Sequence, residues 1–104
     1  MFETLEQLND YSKNNPNQLI IMNFKAIWCG PCKAIKIFVD YLKENYPNVI
    51  FLEIDIENDV TSTITDHFEI AKVPTFIYYK NEQICSRIIG TNKENIENVL
   101  NENI

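Results

Sequence analysis

Three cysteines occur in the chain, and two of them stand in the run Trp28-Cys29-Gly30-Pro31-Cys32. Two intervening residues let both sulfurs meet within one turn of chain, and few enough residues separate them for closure to be fast. Dithiol–disulfide exchange is therefore one chemistry open to the pair. Zinc is the other, but a structural zinc takes four ligands. Beyond the pair, only Cys85 and His67 offer soft or nitrogen donors, and neither has a partner at metal-site spacing. His67 reads as a surface residue near a helix end and is given no role.

The elements around the pair decide how it would work. Gln18 to Phe24 is apolar and β-branched, which reads as a buried strand. Ile35, Phe38, Val39, Leu42 and Tyr46 recur at helical spacing, which predicts a helix from about Cys32 to Tyr46, ended by Pro47. The pair thus lies where a strand gives way to a helix. Cys29 would sit at the helix N-terminus, where unpaired N–H groups and the dipole stabilise a thiolate, the species that attacks disulfides. Cys32, inside the first turn, is expected to be the more buried and to stay protonated until needed. Pro31 stiffens the turn and lacks an N–H that an early helical position does not use.

The remaining elements follow from the same patterns. Thr4-Leu5-Glu6-Gln7 fits a capping box that opens a first helix, which stops near Pro16. Val49 to Ile56 reads as a second buried strand, and Asp59 to Phe68 as a weaker helix, rich in β-branched residues. Thr75 to Lys80 and Gln83 to Ile89 flank Asn81-Glu82, which suggests a hairpin lacking the usual turn glycine. Thr91-Asn92-Lys93-Glu94 is read as a second capping box, opening a C-terminal helix with Ile96, Val99 and Leu100 on one face. The alternation predicts an α/β fold with parallel strands, helices over both faces and an antiparallel hairpin at the edge.

With these elements in place, the chain resembles the thioredoxin family. Trp28-Cys29-Gly30-Pro31-Cys32-Lys33 reproduces the family's active-site signature, and Val73-Pro74-Thr75-Phe76 looks like its cis-proline segment. Gly90 matches a glycine near the family's substrate groove, and Phe51-Leu52-Glu53-Ile54-Asp55 resembles the strand of cytosolic eukaryotic members. The likeness runs from about Gln18 to Ile104. It implies a thioredoxin fold with a central mixed sheet flanked by helices. It also implies that Cys29 attacks a target disulfide and that Cys32 resolves the mixed disulfide, leaving a Cys29–Cys32 disulfide. Trp28 would belong to the docking surface, Pro74 would face the sulfurs, and Val73 and Thr75 would line the groove, with Val73 offering backbone to an extended substrate segment. Lys72, just before them, would either select acidic targets or simply be solvated. A separate thioredoxin reductase, using NADPH and flavin, would recharge the protein. The chain itself has no Gly-rich dinucleotide loop and is expected to bind no cofactor.

Four departures stand against this likeness. Asn23 occupies a position where most members carry a buried Asp, assigned as proton acceptor for the second cysteine, and an amide cannot take that proton. Lys25 replaces a large aromatic and shares a strand face with Asn23. Its ammonium either favours thiolate at the pair or reaches water over a stem that covers the surface. Ile37 replaces a helix-kinking proline, so the helix after Cys32 is expected to be straighter. Met1 to Glu3 leaves little sequence for the family's first edge strand, which should be short or absent. Cys85, mid-strand between Ile84 and Ser86, is read as a buried or half-buried, inert thiol, with a regulatory or dimer-forming thiol as the alternative.

Composition narrows the function classes. The chain of 104 residues is read as one domain spanning 1–104, apolar enough (45%) to build a core without staples. A net charge of −6 argues against nucleic-acid binding. No basic, apolar leader and no membrane-length apolar run is present, so a cytoplasmic location is expected. In a thiol-reducing compartment, structural disulfides are improbable and the cysteine spacing points to chemistry. The leading expectation is a monomeric protein-disulfide reductase acting on disulfide-containing targets. A thioredoxin-fold binding subunit with attenuated redox activity is the alternative, kept open by Asn23 and Lys25.

Overall fold

A computed structural model describes residues 2–104. Thr4 caps α1 (Leu5–Asn14) through the expected capping box: its Oγ1 accepts from the Gln7 N–H while the Gln7 side chain accepts from the Thr4 N–H. β1 (Ile20–Lys25) follows, then α2 (Gly30–Ala34), α3 (Lys36–Asn45) and β2 (Ile50–Asp55). A 3₁₀ turn (Asp59–Thr61) leads into α4 (Ser62–His67), and β3 (Thr75–Lys80), β4 (Gln83–Ile89) and α5 (Lys93–Asn103) complete the chain.

The four strands form one mixed sheet in the order β2-β1-β3-β4. β1 and β2 run parallel, whereas β3 is antiparallel to both β1 and β4. No strand precedes α1 among the described residues; Met1, part of the segment considered for it, lies outside them.

Strand alternation sorts the core into two layers. Leu19, Ile21, Phe76 and Tyr78 face α3 and α5, where they pack with Ile35, Val39, Leu42, Ile96 and Leu100. Ile20, Met22, Phe24, Ile77 and Tyr79 face the opposite way, onto Leu8 of α1 and Ile64 of α4. Two phenols fasten β3 to the helices. Tyr78 donates to the Ile96 carbonyl at 2.7 Å and Tyr79 to Asn9 Oδ1 at 2.6 Å.

Four expectations need correction. The helix after Cys32 is broken at Ile35 rather than straight, although Ile37 is no proline. Ile35 adopts φ −90°, ψ −4°, a conformation between helix and turn, with its side chain held in the core at 1% exposure. The α5 cap is Asn92, not Thr91: Asn92 Oδ1 accepts from the Asn95 N–H at 3.1 Å. Asn caps at least as well as Thr, so the box pattern starting at Thr91 loses to the residue beside it. Cys85 is exposed, not buried. Tyr78 pairs with Ser86 and Tyr79 with Ile84, so Cys85 is the extra residue of a β-bulge and strand alternation does not apply to it. The fourth correction, the relative burial of the two active cysteines, belongs to the site.

The hairpin forms without a turn glycine. Asn81 and Glu82 both take left-handed conformations, at φ 52° and 59°, and the Glu82 N–H is held by the buried Ser12 Oγ at 2.8 Å.

Candidate active site

β1 delivers the chain to the C-terminal edge of the sheet, and Ala26 to Cys29 turn it into α2. Cys29 is the N-cap of α2, in extended conformation, and its Sγ accepts from the Cys32 N–H at 3.1 Å. Gly30 and Pro31 fill the first helical positions and are exposed. The two sulfurs are joined as a disulfide, with the Cα atoms 5.3 Å apart.

The ordering expected for the two thiols is not found. Both are buried, but Cys29 is 3% exposed and Cys32 9%. Ile56 and Val73 lie against the small cluster of Ala26, Cys29 and Cys32, and what sets Cys32 apart is a cavity that it borders and Cys29 does not.

Val73, distant in sequence, packs against the cluster that holds the pair. The Val73–Pro74 peptide bond is cis. Thr75 Oγ1 donates to the Lys72 carbonyl at 2.6 Å, which fastens the bend that presents Val73. Gly90 has φ 106°, a conformation that favours glycine, and its N–H donates to the Pro74 carbonyl at 3.0 Å. The end of β4 is thus tied to the proline segment. Lys72 is exposed.

Trp28 is 64% exposed and Ile27 77%, beside a buried disulfide. The Trp28 indole N–H donates to Glu57 Oε1 at 2.8 Å. Glu57 escaped the sequence reading. A lone acidic residue after β2 carries no motif that would single it out.

Behind Cys32 lies a cavity of about 270 Å³, bordered by Asn23, Lys25, Lys36, Glu53 and Asp55. Strand alternation therefore does place Asn23 and Lys25 together. The Lys25 ammonium, however, bonds Glu53 Oε1 at 2.9 Å, and Lys43 engages the other Glu53 oxygen. Burial pushes the Glu53 carboxyl up, but the hydrogen bonds from Lys43 and Lys25 and their charges outweigh it and hold the group at about 2. Neither reading of Lys25 describes this: its charge goes to a carboxylate across the β1–β2 pair, where residue 23 faces residue 53 in register. A larger cavity, about 620 Å³, opens between the segments Asn14–Leu19 and Asn45–Val49 at the opposite end of the sheet. It holds no cysteine, histidine or acidic side chain. No group of three or more His, Cys, Asp or Glu side chains among the described residues is placed to hold a metal.

The family model for thioredoxin matches residues 3–102. The chain belongs to the thioredoxin family. It is 41% identical to the thioredoxin of Homo sapiens over 86 residues, which cover 83% of this chain and 80% of that one. The X-ray structure of Fasciola hepatica thioredoxin superimposes with a TM-score of 0.86 at 26% identity, covering 98% of this chain and 96% of that one. Mitochondrial thioredoxin 3 of Saccharomyces cerevisiae, in oxidized form, gives 0.83 at 30% identity, covering 97% and 92%. The fold is thus the thioredoxin fold expected from the active-site signature. The activity is that of a thioredoxin-type protein-disulfide reductase, which works with its own cysteines and is re-reduced by a separate reductase.

Proposed function

We propose that Cys29 is the nucleophile and Cys32 the resolving thiol. Once the disulfide is reduced, the Cys32 N–H that lies 3.1 Å from Cys29 Sγ would donate to a thiolate there, a charge-assisted hydrogen bond that favours the attacking species. That contact carries the assignment. The Cys29 thiolate attacks a target disulfide, one target sulfur leaves, and Cys32 then attacks Cys29 Sγ to release the second.

Trp28, Gly30 and Pro31 form the exposed rim for the target, with Trp28 positioned by Glu57. Val73, Pro74 and Thr75 supply the opposing wall, closed by Gly90. Val73 is suited to bond an extended target segment by strand addition, and Lys72 stands at the groove's edge to favour acidic targets. Asn23 and Lys25 support the pair from behind. Residues 1–104 act as one domain, supported by a single sheet with core on both faces. A monomer in a thiol-reducing cytoplasm, recharged by a reductase that uses flavin and NADPH, is the setting that suits exchange chemistry. Light scattering and cell fractionation check the oligomeric state and the location; a mitochondrial signal would replace the second.

Reduction of insulin disulfides by the protein with dithiothreitol tests the assignment. The wild type should exceed the reductant alone, Cys29→Ser should fall to background, and Cys32→Ser should accumulate mixed disulfides on Cys29. A wild type at background would replace the reductase reading with that of a binding subunit.

A further inference from the structure

The amide oxygen of Asn23 is the one buried side-chain oxygen or nitrogen without a hydrogen-bond partner among the described residues. Asn23 is 5% exposed and borders the cavity behind Cys32. The charged groups bordering that cavity are Lys25 from β1, Glu53 and Asp55 from β2, Lys33 from α2 and Lys36 from α3. None bonds Asn23: Lys25 is spent on Glu53, Lys36 on Asp40 at 2.9 Å, and the Asp55 carboxylate accepts from the Glu57 N–H. A disulfide sulfur has no hydrogen to offer. A thiol has one, and Cys32 borders the same cavity.

We infer that Asn23 is a redox-linked acceptor: its oxygen is orphaned while the disulfide stands and receives the Cys32 S–H once the pair is reduced. The inference rests on the reading of Cys29 and Cys32 as the exchanging pair. On reduction the S–S bond takes two electrons from the reductant, Cys29 leaves as thiolate, and Cys32 takes up one proton from solvent. That proton is the donor that Asn23 lacked. The unsatisfied acceptor penalises the oxidised state only, so the residue makes the disulfide easier to reduce. It also holds the Cys32 proton in place, which keeps Cys32 a thiol while Cys29 is a thiolate. Asn23 is on this account a positioning residue that acts through Cys32.

The test is the equilibrium of the Cys29–Cys32 pair with reduced and oxidised glutathione. A net hydrogen bond is worth roughly two- to twelvefold in an equilibrium constant. Asn23→Leu, which keeps the volume and removes the acceptor, should lower the constant for reduction by that factor. A tenfold loss is a potential about 30 mV more negative. An unchanged constant, or one that rises, overturns the inference. Should Asn23→Leu not fold, the Cys29→Ala, Cys85→Ser double variant carries a single thiol, Cys32, with no acceptor side chain at residue 29. Its S–H stretching band should lie at the lower frequency of a bonded thiol, and a band at the position of a free thiol overturns the inference. Neither readout needs a protein target, so failure of insulin reduction would sink the reductase reading separately.

Discussion

Replacing Glu53 by Gln should destabilise the protein by about 1 kcal/mol at neutral pH and leave it unchanged in strong acid. Glu53 accepts from both Lys25 and Lys43, and its carboxyl is held at about 2 against an ordinary value of 4.5. A pKa depressed by folding contributes stability above the unfolded value and loses it as pH falls towards the folded one. The contribution should therefore be complete above about pH 5 and vanish near pH 2. Unscreened, that displacement corresponds to about 3.4 kcal/mol. The side chain keeps 32% of its surface in water, and exposed pairs deliver far less, so about 1 kcal/mol is the supported figure. Gln keeps the shape and an acceptor oxygen, so the packing cost is small. Urea unfolding of both proteins, from neutral pH stepwise to about pH 2.5, measures the difference directly. The midpoints should lie about 0.5–1 M apart at neutral pH and converge in acid. A gap that persists unchanged at the acid end would show that the Glu53 charge is not its source, and a gap that widens would reverse the sign of the reasoning.

Glu82→Gly should stabilise the β3–β4 hairpin by about 0.5–1 kcal/mol, because Glu82 sits at φ 59° and its bond to Ser12 is made by the backbone N–H, which glycine keeps. Thermal unfolding should rise by a few degrees, and a fall would contradict the strain argument. Tyr78→Phe should cost about 1 kcal/mol through loss of the bond to the Ile96 carbonyl. Burial pushes the Tyr78 phenol well above its ordinary 10, so its contribution is complete below that pH and is lost as pH rises beyond it. The Phe variant should therefore show the shallower alkaline decline in chemical denaturation, and a steeper one would refute the assignment.

What the sequence revealed was what short range decides. The Thr4 cap, the strand at Thr75–Lys80, the strand-to-helix setting of Cys29 and the joint placement of Asn23 and Lys25 each depend on neighbours within a few residues, and each is found. The break at Ile35 was hidden because Ile35, Val39 and Leu42 keep helical spacing straight across it; it is the core that fixes Ile35 in its intermediate conformation. Cys85 was misplaced because a bulge is a property of two strands, and the register of Tyr78 and Tyr79 against Ser86 and Ile84 cannot be read from β4 alone. Glu53 and Glu57 carry no local signal at all. They matter because β2 lies beside β1 and brings one carboxylate to Lys25 and the other to Trp28.

These two carboxylates sharpen what Asn23 means. The proposed nucleophile takes its bias from a backbone N–H, which the turn at Cys29 to Cys32 supplies whatever side chains surround it. The proposed resolving thiol instead borders a cavity lined by side chains. Lys25 and Glu53 neutralise each other across the strand pair, and Asn23 adds no charge to the cavity they share with Cys32. A carboxylate placed at residue 23 would be buried beside two lysines already in use, Lys25 on Glu53 and Lys36 on Asp40, which leaves Lys33 as the cavity's lysine outside those pairs. Asn23 and Lys25, set beside Glu53, are therefore one solution rather than two separate departures. A proton acceptor restored at residue 23 would draw its counter-charge either from Lys33 or from the Lys25–Glu53 pair.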